Sequence, residues 1–121
     1  MNFVTKGALP RTDPTEAERR RSQRVRLAVP VEVAWKTSDG ARHSVHAKSE
    51  VVNAYGGLLQ MNEPYPPIKQ VVELSHLPKH QSSRARVVWV MEPEDGKPAR
   101  IAVELAIPSQ AFWGISFPPA V

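Results

Sequence analysis

Five arginines, Arg19, Arg20, Arg21, Arg24 and Arg26, fall within eight residues of one another just before a run of alternating apolar residues. The guanidinium group is a planar fork of donors that matches phosphate oxygens or the acceptor edge of a guanine, and it can also stack on a base. Arg20 and Arg24 stand in an R-x-x-x-R spacing. In an extended chain this even offset points both side chains the same way, about 13 Å apart. On a helix the two positions share a face. In either conformation the pair can grip one anionic ligand from a single side.

The charge of the chain supports such a role for its N-terminal arm. Residues 1–26 hold seven basic and three acidic residues, whereas residues 27–121 hold nine of each. The formal net charge of +4 thus resides on the arm, and the remaining body is neutral. A basic arm on a neutral body implies an anionic partner. The 121 residues suffice for one domain with a modest core, and 41% hydrophobic and 23% charged residues are ordinary for a soluble protein. The absence of cysteine excludes disulfides and thiolate metal sites. The first seven residues contain no apolar signal-peptide core, and no apolar run is long enough to span a bilayer, so a cytoplasmic location is expected.

The elements that would position the arginines are strands. Residues 1–17, with Gly7, Pro10 and Pro14, read as a flexible leader. Val25, Leu27, Val29, Val31, Val33 and Trp35 then alternate with more polar neighbours, which predicts one long half-buried strand. Pro30 removes a ladder donor, so an edge or a bulge is expected near it. Thr37-Ser38-Asp39-Gly40 supplies a hairpin turn, Ser44–Asn53 a return strand, and residues 57–61 a third strand after a break at Gly56-Gly57. Residues 71–74 read as a short strand. A strand over 84–91 is expected to turn Ala85, Val87, Trp89 and Met91 to one face, and alternation over 101–107 makes the last. The predicted class is all-β: a small six-stranded antiparallel barrel with a flexible basic arm.

These pieces, in this order, resemble the PilZ domain, a small β-barrel family that binds cyclic di-GMP. The resemblance covers roughly residues 18–107, followed by an aromatic tail over 108–121 expected to pack on the barrel and bury Trp113 and Phe117. Glu18-Arg19-Arg20-Arg21-Ser22-Gln23-Arg24 looks like the family's opening R-x-x-x-R motif. Val52-Asn53-Ala54-Tyr55-Gly56-Gly57 stands where the family carries [D/N]-x-S-x-x-G, and Arg86-Val87-Val88-Trp89 and Val103-Glu104-Leu105 complete the likeness. The resemblance implies that Arg20 and Arg24 clamp the phosphates and guanines, that Asn53 contributes a polar contact, and that Gly57 lets the backbone approach the ligand. Arg19, Arg21 and Ala54 are auxiliary positions. Aligned on Gly57, Val52 stands for the acidic or amide residue and Ala54 for the serine, so the second motif is degenerate. Two missing polar contacts weaken binding by on the order of 10- to 100-fold or more.

The implied function is a non-catalytic receptor or adaptor in bacterial cyclic di-GMP signalling, without a further cofactor. Two other readings stay open. The degenerate motif favours an interaction module that takes a protein partner and no nucleotide. A basic-arm nucleic-acid binder would need exposed aromatics for stacking, and near the arm Tyr55 is the best candidate. Plainer readings also stand: a solvated arm for Arg20 and Arg24, a turn residue for Asn53, and a positive-φ turn for Gly56-Gly57. His43-x-x-His46 and His76-x-x-x-His80 have zinc-like spacings, but the odd offset splits the first pair across a strand and Pro78 interrupts the second, so no metal site is expected. No nucleophile motif or paired-carboxylate pattern is present.

Overall fold

Seven strands and no helix make up the computed structural model, which describes residues 24–109 and 111–115. The strands are β1 (Val25–Arg26), β2 (Pro30–Lys36), β3 (Arg42–Asn53), β4 (Gly56–Met61), β5 (Val71–His76), β6 (Gln81–Met91) and β7 (Ala99–Leu105). All neighbours are antiparallel, in the order β1-β3-β2-β5-β6-β7-β4, and β4 pairs back onto β3. Six strands therefore close into the expected barrel, and β1 is an extra strand beside the C-terminal end of β3. Closure removes exposed sheet edges and gives the alternating sequences an enclosed face on which to bury their apolar residues. Val31, Val33, Leu59, Leu74, Val87 and Ile101 are among the residues fully enclosed there.

The long alternating run does bury its odd-numbered face, but it is two strands, not one. Pairing with β3 stops after Arg26 and resumes at Pro30, in keeping with the missing donor of proline. In the gap Ser49 of β3 acts as a bracket. Its hydroxyl donates to the Leu27 carbonyl and accepts from the Val29 N–H at 2.8 Å, while its own N–H reaches the Val29 carbonyl at 3.0 Å. Ser49 is fully buried, so removing its hydroxyl leaves the buried Val29 N–H without a partner and takes a donor from the Leu27 carbonyl. Ser49→Ala is expected to lower the unfolding free energy by about 2–3 kcal/mol, measured by urea denaturation. A loss below about 0.5 kcal/mol, the level of an ordinary surface change, would show that the bracket is dispensable.

Two β-bulges change which residues face the core. One lies between Ser49 and Val51 on β3, the other between Val87 and Trp89 on β6. A bulge inserts one residue and reverses the in–out parity of the strand beyond it. On β3, Ala47 and Ser49 face inward before the bulge and Val52 after it. On β6, Ala85 and Val87 are buried, Val88 and Trp89 are both exposed, and Val90 packs against the core. The expectation that Trp89 and Met91 share the face of Ala85 is thus corrected: Trp89 is 41% and Met91 38% exposed. The last strand also ends at Leu105, leaving Ile107 outside it and exposed.

The β2–β3 hairpin turn is closed by Asp39, whose carboxylate accepts from the Thr37 hydroxyl and from the Ala41 N–H at 3.1 Å. The Thr37 hydrogen bond is the main reason its acid is held below the usual carboxylate value. Gly40 supplies the positive φ that the turn requires.

At one end of the barrel, Phe112 and Trp113 are buried and pack edge to face at 4.9 Å. Phe112 also meets the ring of His76 edge-on, and the Lys79 ammonium donates to the Ala111 carbonyl at 3.1 Å. Phe117 and the leader over residues 1–17 lie outside the described residues.

A candidate ligand groove on the outer wall

The β3–β4 hairpin is organised around Asn53. Its side-chain oxygen accepts from the Tyr55 N–H at 2.9 Å and the Gly56 N–H at 3.1 Å, forming a turn of the kind Asn favours. The turn is also fixed from outside. The Leu105 N–H donates to the Tyr55 carbonyl at 2.7 Å, the Ser109 N–H to the Ala54 carbonyl at 2.8 Å, and the Trp113 indole N–H to the Asn53 carbonyl at 2.9 Å. This end of the barrel therefore offers a rigid backbone platform.

Gly56 and Gly57 are the first two residues of β4 rather than a break, and neither has a positive φ. The turn reading that called for positive φ is therefore corrected. Their lack of side chains has a packing cause. A Cβ on Gly56 would collide with the Val103 carbonyl oxygen of β7. One on Gly57 would lie 3.0 Å from the Trp113 indole and 3.1 Å from the Val52 side chain. Trp113 thus takes the space that glycine leaves on the core side of β4.

On the outer wall, the hairpin, the end of β1 and strands β6 and β7 bound a shallow groove of about 420 Å³. Of the residues singled out in the sequence, Arg24, Asn53 and Gly57 all line it. Ala54 is buried in the turn and does not line the groove. Arg19, Arg20 and Arg21 lie outside the described residues. Arg24 is exposed at the β1 side, where Val25 pairs with Val52. The floor is apolar: Val51 pairs with Leu58, Leu58 pairs with Ala102, and Val88 flanks them. Sequence reasoning missed this floor because Val51 reaches the outer wall only through the β3 bulge, and because Leu58, Ala102 and Val88, outward by plain alternation, come together only through strand pairing. At the β7 side stands Glu104, half-buried and in register with Gly56 on one side and Arg86 on the other.

The groove therefore has a cationic side, an apolar floor, backbone polar groups at the hairpin and a carboxylate opposite the arginine. Such a surface can seat a flat, polar-edged, anionic molecule: the guanidinium takes the anion and the floor takes an apolar or aromatic face. Arg100 of β7 does not line the groove; it forms a two-pronged ion pair with Glu50 of β3, both contacts at 3.1 Å.

The histidines stand apart from this groove. His43 stacks on Trp35 at 5.1 Å, and His46 is exposed on the other face of β3. His76 is buried and its Nδ1 accepts from the Lys79 N–H at 3.2 Å, while His80 is exposed in the turn after β5. Among the described residues, no group of three His, Cys, Asp or Glu is placed to hold a metal ion, and no helix is long and apolar enough to cross a membrane. No protein-family model matches the chain, and no curated protein does either.

Proposed function

We propose that this protein is a PilZ-like, non-catalytic receptor for cyclic di-GMP that uses the groove between Arg24 and the β3–β4 hairpin. The observation that carries the reading is convergence. Arg24 belongs to the arginine motif and Asn53 and Gly57 to the hairpin motif, and all three line one groove on the barrel wall. Arg20, four residues before Arg24, would add a second guanidinium from the arm. Phosphates would meet the guanidinium groups, and the purine faces would lie on Val51, Leu58, Ala102 and Val88. Ordering of the arm on the ligand would couple binding to a new surface for a protein partner.

Calorimetric titration with cyclic di-GMP tests the reading. Saturable binding that Arg24→Ala weakens by about 10- to 100-fold is the expected result, since a charge-assisted contact contributes about 1.5–3 kcal/mol. Binding unaffected by Arg24→Ala would remove the arginine from the site, and no heat with the parent protein would overturn the receptor.

One observation favours a second reading, an interaction module that takes no nucleotide. The Asn53 side-chain oxygen is committed to its own turn, and Val52 and Ala54 are buried where the family motif has polar residues. In that case the exposed apolar residues Ile68, Val71, Val88 and Trp89 would be the surface to test.

A further inference from the structure

We propose that the Asp95-Gly96 turn is a site of spontaneous backbone modification, where aspartate converts through a cyclic imide to isoaspartate, and that the fold shields the identical pair Asp39-Gly40. The chemistry is local. The main-chain nitrogen of the residue after an aspartate attacks the side-chain carboxyl carbon; a C–N bond forms, and a carboxyl C–O bond breaks with loss of water. Water then reopens the five-membered ring at either carbonyl. One opening returns aspartate, and the other leaves isoaspartate, whose main chain runs through the former side chain and is one methylene longer. No oxidant, reductant or cofactor is consumed. The chain holds three aspartates, and the residues after them already sort them. Pro14 follows Asp13 and has no N–H with which to close the ring. Glycine follows Asp39 and Asp95, and without a Cβ it leaves its nitrogen the least hindered.

The tertiary structure separates the two remaining pairs. Ring closure needs an amide nitrogen that is not tied down, a carboxyl group free to turn onto it, and a proton on that carboxyl so that an oxygen can leave as water. At Asp39-Gly40 all three are withheld. The Gly40 N–H donates to the Thr37 carbonyl at 3.0 Å, and the Asp39 carboxylate accepts from the Thr37 hydroxyl and from the Ala41 N–H at 3.1 Å. Those same contacts hold its acid below the usual carboxylate value. At Asp95-Gly96 the turn is closed from outside the reacting pair. The Lys97 N–H donates to the Glu94 carbonyl at 2.8 Å, and Glu94 and Lys97 form an isolated antiparallel bridge. Among the described residues, neither the Gly96 N–H nor the Asp95 carboxylate makes a hydrogen bond or an ion pair, and residues 94–97 are all exposed. Because the closing bridge lies outside the pair, an added methylene leaves β6 and β7 joined as before. The product therefore stays on a folded barrel, open to an enzyme that methylates isoaspartyl carboxyl groups. None of residues 94–97 lines the ligand groove, so this inference stands apart from the receptor reading.

The test ages the full-length protein in mildly acidic buffer and locates isoaspartate by peptide mapping with electron-based fragmentation, which tells it from aspartate. Methyl transfer from labelled S-adenosylmethionine by an isoaspartyl methyltransferase gives the total. The folded parent is expected to carry about 10- to 100-fold more isoaspartate at 95 than at 39, the factor set by breaking a hydrogen bond to a charged group before reaction. Asp95→Glu should remove most of the methyl acceptance, because its longer side chain would have to close a six-membered ring. Thr37→Val takes one donor from Asp39 and should raise isoaspartate at 39 by about threefold or more. In urea the two pairs should react within about threefold of each other, since both are then exposed to water. Equal amounts at 39 and 95 in the folded parent, or none at 95, overturn the proposal. A tenfold gap that persists in urea overturns it as well, because neighbouring sequence and not the fold would then set the difference.

Discussion

Trp113→Ala is expected to lower the unfolding free energy by about 3–5 kcal/mol, the range for truncating a large buried aromatic. Trp113 is fully buried, packs on Phe112 and fills the space over Gly57 and Val52. Its indole N–H also donates to the Asn53 carbonyl, and this hydrogen bond ties the tail to the hairpin that bounds the groove. The substitution therefore removes burial, one hydrogen bond and the clamp on the turn together. Urea denaturation should show a lower midpoint at an unchanged slope, the mark of lost stability without a change in unfolding mode. Trp113→Phe should recover part of the loss but not the hydrogen bond. A Trp113→Ala protein within about 1 kcal/mol of the parent would mean that the tail is not part of the folded core.

The second large effect is expected at Gly56. An alanine methyl there would overlap the Val103 carbonyl oxygen, which belongs to the β7 backbone and has no rotamer in which to escape. The strands must part or β4 must shift, at a cost of about 3 kcal/mol or more. Gly57→Ala should cost less, because its closest contacts are the side chains of Trp113 and Val52, which can move by tenths of an ångström. The order of the two losses is the sharper part of this prediction. Equal losses at 56 and 57, or a larger one at 57, would contradict the β4–β7 packing. Since Gly56, Gly57 and Val103 all line the groove, Gly56→Ala should also distort the proposed ligand site.

Much of the barrel is legible in the residues themselves. Alternation between Val25 and Trp35 identifies a half-buried strand, and Pro30 within it signals the interruption found after Arg26. The hairpins at Thr37–Gly40 and near Gly56 are marked by turn residues, and the arginines before β1 stand out by type and spacing alone. Of the groove, Arg24 stands out by type and spacing, whereas Asn53 and Gly57 are singled out only through the resemblance to the PilZ hairpin motif.

The rest depends on pairing between strands far apart in the chain. Strand periodicity is two, so one inserted residue exchanges the faces of every later position in the strand, and nothing in Arg86-Val87-Val88-Trp89 by itself says where the insertion falls. It is the register of β6 against β7 that turns Trp89 outward beside Val88, and of β3 against β4 that turns Val51 outward. Likewise the reason for glycine at 56 and 57 lies in Val103 and Trp113, distant residues whose approach no local pattern announces. Local chemistry thus determined the strands, the turns and the charged arm of this protein. Long-range pairing decided which of its apolar residues form the core and which line a groove, and it put Glu104 across that groove from Arg24.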